Sequence, residues 1–282
     1  MNVLLTGATG FLGCYITATL LAHEHTVRQI SRQRGVNFTD MLVANDWIPY
    51  LEGIDAVINC VGIIAETSTQ RFEALHTQAP VALFSACKLA GVRRVIQVSA
   101  IGADQHAFSA YHRSKLAADQ FLRRQDLDWL VLRPALIYGA GGSSTALLMR
   151  LARLPMIPVV GDGNQLLQPI YVEDFASIVL NALTFSNAKR TLDIVGPEKL
   201  TYLDWLQTLR QAQGLRAARV IHIPTRIVSA ALHLGHYINP LLHADNLRML
   251  KANYVADIGQ TVELLGRLPQ RVASPIFSSI ST

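Results

Sequence analysis

Tyr111 and Lys115 lie four residues apart in the stretch SAYHRSKLAADQFL, Ser109 to Leu122. On a helix that spacing puts both side chains on one face, and an ammonium beside a phenol favours the phenolate. Such a pair can exchange a proton with a substrate oxygen. The spacing alone is common. Eight Tyr and five Lys in 282 residues give about one chance in seven of a Tyr-x-x-x-Lys by accident. Its meaning depends on what stands upstream.

Upstream, the segment NVLLT reads as a strand, and it runs into TGATGFLG and then into a helical pattern, FLGCYITATLLAHE. Gly7, Gly10 and Gly13 fall at G-x-x-G-x-x-G spacing between the two. A loop that turns sharply, brings its amides to a pyrophosphate and packs the following helix on its strand needs small residues at those places. The expectation is a dinucleotide site. An NAD site usually carries a carboxylate about 20 residues on, at the end of the second strand. Here TVRQIS ends in Ser31 and Arg32, with Arg28 and Arg34 nearby, and no acid occurs between Glu24 and Asp40. A guanidinium suits a 2′-phosphate, so the sequence predicts NADP(H). Solvent-facing roles stay open for Arg28 and Arg34. Asp40 is a candidate acceptor for the adenine amino group, with a capping role equally open. Asn59 and Gly62 end the strand DAVINCVG, where the chain is expected to pass under the adenine ribose, and glycine permits that approach.

Short apolar runs alternate with helical patterns through the first half, which argues for βαβ units and a parallel sheet. VNF reads as a short third strand, EALHTQAPVALFSACKLAG as a long helix ending at Gly91, RVIQVS as a strand, and WLVLRPALIYG as another. The Tyr111 segment then opens a helix on the ligand side of the sheet. Ser99, ending RVIQVS, is placed to hydrogen-bond a substrate carbonyl, and Lys115 to hold the nicotinamide ribose and lower the Tyr111 pKa. Past Gly161 the alternation loosens. QPIYVEDFASIVLNAL reads as a turn into a helix, TLDIVGP as a strand and TYLDWLQTLRQAQG as an amphipathic helix. The expected fold is α/β, a Rossmann-type doubly wound parallel sheet over residues 1–160. Residues 161–282 form a smaller substrate-side lobe that partly returns to the sheet.

TGATGFLG, NCVG, VSA and YHRSK, followed by LRPALIYG and QPIYVEDFA, resemble the short-chain dehydrogenase/reductase superfamily of extended or atypical type. FEALHTQAPVALFSACKLAGVRRVIQVSAIGAD is similar to the subgroup of the NADPH-binding accessory subunit of respiratory complex I and its bacterial relatives, a likeness reaching about Leu209. The resemblance implies that Gly7, Thr9, Gly10, Phe11, Leu12 and Gly13 cradle the pyrophosphate and that Ser31 and Arg32 meet the 2′-phosphate. It implies a catalytic triad of Ser99, Tyr111 and Lys115, with Pro134 and Ala135 bordering the nicotinamide. Only 11 residues separate Ser99 from Tyr111, shorter than in the sugar-nucleotide enzymes of this kind. No Glu follows a Ser or Thr near the active-site loop, where lyases using a bound NADP carry their acid. Two functions follow. One is an NADP(H)-dependent oxidoreductase of a small or apolar carbonyl or alcohol. The other is a redox-silent NADPH-binding scaffold or sensor attached to a membrane-bound or quinone-related assembly.

Half the residues are hydrophobic and 16% are charged, a globular composition. Cys14, Cys60 and Cys87 are scattered, without CxxC spacing. With no secretory signal after Met1, a reduced cytoplasmic setting is expected, and no His arrangement suggests a metal. The formal charge is +5, and from Arg216 onward seven basic residues face three acids, so the tail carries +4 of it. A solvated face accounts for this; the functional reading is an anionic membrane surface or an acidic partner. Nucleic acid is not expected, since basic and aromatic residues do not cluster. The uncharged run Ile227 to Ala244 holds three His, an Asn, a Gly and a Pro. It reads as a packed or interfacial helix broken near Pro240, not a span.

Overall fold

The computed structural model describes residues 1–224, 248–249 and 252–272, so the run Ile227 to Ala244 lies outside the described residues. In chain order the strands are β1 (Asn2–Thr6), β2 (Thr26–Ile30), β3 (Ala56–Asn59), β4 (Arg94–Val98), β5 (Asp128–Pro134) and β6 (Ile137–Tyr138). They continue as β7 (Met156–Val160), β8 (Leu166–Leu167), β9 (Ile170–Tyr171), β10 (Arg190–Ile194), β11 (Leu200–Thr201) and β12 (Arg219–Ile223). The helices are α1 (Phe11–Ala22), α2 (Ala44–Leu51), α3 (Ala79–Ala90), α4 (Ala110–Arg123), α5 (Ser143–Arg153), α6 (Val172–Ala182), α7 (Tyr202–Ala212) and α8 (Gly259–Leu265).

The central sheet runs β10-β5-β4-β3-β1-β2, parallel throughout. Its middle strands are apolar and buried on both faces, as the runs VLLT and AVIN require. On one face Ile16, Leu20, Phe175, Val179 and Leu264 from α1, α6 and α8 pack against Val3, Leu5 and Ile58. On the other, Trp47, Leu83, Phe84 and Leu122 from α2, α3 and α4 pack against Leu4, Val57 and Val95. The strand order reverses at β1, with β2 on one side and β3 on the other. A crevice opens outside the carboxyl ends of the strands at such a reversal. The glycine loop, Ser31, Asn59 and Ser99 all stand at that edge.

VNF is not a strand. Gly35, at φ 83°, turns the chain out of a 3₁₀ turn at Arg32–Arg34, and a second turn follows at Phe38–Asp40. Phe38 is drawn into the core edge-on against Trp47, 5.0 Å between ring centroids, so burial of one aromatic overrides the extended pattern. WLVLRPALIYG is likewise not one strand. Ala135 donates its N–H to Ile194 O, and the chain then leaves the sheet to pair β6 with β9. The long predicted helix ends at Gly91 in the left-handed region, but its first turn, Glu73–Gln78, is π-helical.

The second half divides its strands. β10 completes the main sheet beside β5, whereas β7 pairs with β12 and β8 with β11. Met149, Trp205 and Leu209 pack with Tyr138 and Tyr171 over the carboxyl edge. No helix among the described residues is long and apolar enough to cross a membrane.

Asp174, fully buried at the start of α6, accepts from Arg267 Nη2 at 2.5 Å and from the Gln270 N–H at 2.6 Å. These bonds tie the segment after α8 to the core. Asp174→Ala is expected to cost about 1.5–3 kcal/mol, read as a lower urea midpoint at unchanged slope.

Candidate active site

Gly7 stands at φ 68°, and a Cβ there would lie 3.0 Å from the Cys60 carbonyl oxygen. A Cβ on Gly13 would collide with the Gly7 carbonyl and the Ala8 backbone. The loop therefore closes on β3 while α1 packs on the loop, the geometry a pyrophosphate cradle needs. Thr9, Gly10, Phe11 and Leu12 form the rim, partly exposed. Phe11 reaches Gly139 and Gly142 across the crevice, and Tyr15 donates to Ala140 O at 3.2 Å.

At the end of β2, the Ser31 hydroxyl is buried with no hydrogen-bond partner among the described residues. The exposed Arg32 beside it lines a cavity of about 280 Å³ with Gly35, Asn37, Thr69 and Gln70. The neighbouring arginines are occupied. Arg28 donates to Tyr50 O and Glu52 O at the end of α2, and Arg34 to Gln29 Oε1. Asp40 sits in its own turn, accepting from Asn37 Nδ2 and Thr39 Oγ1.

Asn59 is placed differently from the expectation. Its amide is fully buried, accepting from Thr6 Oγ1 at 2.6 Å and donating to Gln97 Oε1 at 2.7 Å. The side chain braces three strands and does not face the crevice. Gly62 has a different reason to be small. A Cβ there would stand 3.1 Å from Lys115 Nζ and 3.6 Å from His76 Nε2.

Ser109 caps α4 by accepting the His112 N–H at 3.1 Å, which sets Tyr111 in the first turn and Lys115 one turn on. Lys115 is 4% exposed, and its ammonium donates to Val61 O at 3.1 Å and Val98 O at 3.2 Å. Burial lowers its pKa, while Asp119 and Cys60 raise it. The third N–H remains for a ligand.

Ser99 Oγ donates to Asp119 Oδ2 at 2.5 Å. Its one proton is thus engaged, leaving lone pairs and not a donor for a substrate carbonyl. Burial pushes the Asp119 carboxyl up to about 6, opposed by Ser99, Lys115 and Arg123. Tyr111 also departs from expectation. Burial and then the Asp119 charge push its phenol up to about 12, and Lys115 does not offset this in the cofactor-free chain. The ring is fixed by His112 at 5.2 Å, His76 at 5.5 Å and Phe72 at 6.0 Å between centroids.

Asp119 and His76 were not among the sequence candidates. Asp119 continues the Tyr111–Lys115 face by another four residues, a signal open to inspection. His76 carried none. The Ile63 N–H donates to its Nε2, so its proton is on Nδ1, toward Ser114 Oγ at 3.0 Å, and Ser114 in turn donates to Tyr111 O. Burial and Lys115 hold its pKa well below the usual histidine value. Pro134 and Ala135 are buried at the end of β5, where Pro134 O accepts from the Ile101 N–H just past Ser99.

Asp119 makes a test with a definite sign. Its folded pKa lies above the unfolded carboxylate value of about 4, so its proton stabilises the fold at low pH and that contribution is lost as pH rises through about 6. Asp119→Asn removes the titration. Urea midpoints of variant minus wild type are expected to rise between pH 4 and 6.5, and a flat or falling difference contradicts the assignment.

Human epimerase family protein SDR39U1 is 27% identical over 258 residues, 82% of this chain and 86% of that protein. The ceramide reductase of Caulobacter vibrioides is 29% identical over 187 residues, 62% of this chain and 58% of that protein. The mouse mitochondrial NADH dehydrogenase [ubiquinone] 1 alpha subcomplex subunit 9 is 26% identical over 211 residues, 68% of this chain and 56% of that protein. The matches to these last two thus span little more than half of each relative's length. Among solved structures, human SDR39U1 isoform 2 with NADPH superposes with a TM-score of 0.78 at 20% identity, covering 100% of both chains. UDP-N-acetylglucosamine 4-epimerase from Bacillus cereus gives 0.76 at 19% identity, again covering both chains fully; these likenesses are of fold. Residues 3–195 match the family's own sequence pattern, and the chain is a member of the NAD dependent epimerase/dehydratase family.

Proposed function

We propose that this chain is an NADP(H)-dependent oxidoreductase acting on a small or apolar carbonyl or alcohol. The observation that carries the reading is the placement of Tyr111, Lys115 and Ser99 together at the carboxyl edge, beside a glycine loop whose neighbouring strand ends in an exposed Arg32 and a Ser31 hydroxyl with no partner among the described residues. A hydroxyl and a guanidinium next to a cavity fit a phosphate monoester, and nothing at that strand end offers a carboxylate to ribose hydroxyls. NADPH in the solved SDR39U1 structure supports the same choice. The relative named as a ceramide reductase supports an apolar substrate, as does the apolar run in the second half.

The bound dinucleotide would supply or accept the hydride at the substrate carbon. In the reducing direction the carbonyl π bond breaks as that carbon gains the hydride. Its oxygen takes the Tyr111 proton, and Tyr111 is reprotonated from solvent. Lys115 would hold the nicotinamide ribose through its remaining N–H while two carbonyls fix its other donors. A cationic, oxidised nicotinamide would oppose the burial and Asp119 effects on Tyr111, so ionisation of the phenol depends on the cofactor. Glycine at position 62 leaves room for the Lys115 head group.

A second reading, a silent NADPH-binding scaffold, is favoured by the high Tyr111 pKa and by the engaged Ser99 proton. The relative from the respiratory NADH dehydrogenase points the same way. Its attachment through the basic C-terminal part, at a membrane or in a protein complex, belongs with this reading.

Tyr111→Phe separates the two. NADPH oxidation at 340 nm over a panel of lipophilic carbonyls and quinones is expected to fall about 10²- to 10⁴-fold in the variant, with NADPH affinity by fluorescence titration unchanged. Absence of wild-type turnover across the panel favours the scaffold. Arg32→Ala is expected to weaken NADPH binding by about tenfold or more, the scale of one charge-assisted contact, and to leave NADH binding nearly unchanged. Equal losses for both, or tighter NADH binding by the wild type, would contradict the 2′-phosphate assignment.

A further inference from the structure

Beyond the triad, a second phenol stands at this site. Tyr254 comes from the far end of the chain, and its place is fixed from several sides. Its N–H donates to Leu166 O at 3.1 Å, and Asn253 Oδ1 accepts the Leu166 N–H at 2.8 Å. Two residues on, the Ala256 N–H donates to Gln168 Oε1. Nearby, the Arg248 guanidinium lies over the Phe108 ring, 4.8 Å from its centroid.

The Tyr254 ring rests on His112, 5.7 Å between centroids, and His112 is the residue whose ring stands 5.2 Å from Tyr111. Its Cε1 would be 3.0 Å from a Cβ at Gly102, which occupies φ 87°. Only glycine admits the ring there. The hydroxyl is buried and has no hydrogen-bond partner among the described residues. Burial, the Tyr111 phenol and Asp104 all raise its pKa, toward about 12, so it stays a protonated donor across the working range.

A buried hydroxyl without a partner calls for one. At the same time, a substrate oxygen receiving a proton from Tyr111 needs a further donor as charge develops on it. Ser99 does not supply that donor, because its proton is directed at Asp119.

We propose that Tyr254 is a substrate-binding residue whose O–H donates a hydrogen bond to the same substrate oxygen that Tyr111 protonates. The inference rests on the oxidoreductase reading for its chemistry, but not for its test. The carbonyl π bond still breaks toward oxygen, the proton still comes from Tyr111, and Tyr254 keeps its own proton throughout. The ligand group it selects is a hydrogen-bond acceptor, a carbonyl or hydroxyl oxygen, reached from beside the His112 ring.

Tyr254→Phe keeps the ring and removes the donor. Two measurements use 9,10-phenanthrenequinone as the probe. One is its binding to the NADP⁺-loaded protein by tryptophan quenching, and the other is NADPH oxidation at 340 nm. The expected result is a probe Kd weakened about tenfold and kcat/KM lowered about 10²-fold, with NADPH affinity and melting temperature unchanged. Wild-type probe binding in the variant overturns the proposal. So does a loss matched by weaker NADPH binding or a lower melting temperature, which marks a structural role, and so does a wild type that binds no probe. If the wild type binds the probe without oxidising NADPH, the oxidoreductase reading fails for this substrate. The binding arm then still decides Tyr254 by the same tenfold difference.

Discussion

The Lys115 ammonium is buried, and most of the site follows from keeping it so. An isolated cation away from water is strongly unfavourable unless it is paired or hydrogen-bonded. Here Val61 O and Val98 O, at the ends of two adjacent strands, each accept one of its protons. Val98 is the last residue of β4, and Val61 lies two residues past the end of β3. The sheet edge and the helix that carries Lys115 are thereby fixed to one another. Position 62 must then be small, since a side chain would reach the ammonium. His76, a few ångströms off, is held neutral first by burial and then by repulsion from the Lys115 cation.

Asp119 completes this arrangement without touching Lys115 directly. Tyr111, Lys115 and Asp119 share one face of α4, and the acid turns toward Ser99. Beneath it, Thr6, Asn59 and Gln97 form a row of buried hydrogen bonds across β1, β3 and β4. Gln97 leaves its amide nitrogen unpaired and Asp119 leaves Oδ1 unpaired among the described residues, and Gln97 lies close enough to lower the Asp119 pKa. The row therefore stops beside the acid that orients Ser99. A low local dielectric makes each member's orientation depend on the next, so the strand interior and the catalytic edge form one polar unit.

Local rules made much of this legible. Glycines between a strand and a helix, the i, i+4 pair and the absence of an acid after β2 are all sequence-local, and each marks a position at the edge of the sheet. The failures were tertiary. VNF reads as a strand until Phe38 finds Trp47. Asn59 ends a strand where the chain is expected to pass under the adenine ribose, yet its amide is taken by residues 53 and 38 positions away. His76 and Tyr254 become site residues only when π-turn, loop and lobe are folded together, and no spacing announces that. Asp119 lies between these cases. Its periodicity was visible, but an acid four residues past a lysine reads as an exposed helix pair until burial shows otherwise.

Electrostatics decide where the Tyr111 proton rests. Tyr111 sits partly buried among aromatic rings, and burial, then the Asp119 charge, hold the proton on the phenol. Lys115 lies one turn away, but its charge is directed at two strand-end carbonyls. The phenol therefore needs positive charge brought from outside the chain, and an oxidised nicotinamide against Lys115 and Pro134 would bring it. The same burial that raises the Tyr111 pKa also magnifies the effect of any charge placed beside it. The features that favour the scaffold reading in the free chain are thus those that would make proton transfer conditional on a bound dinucleotide.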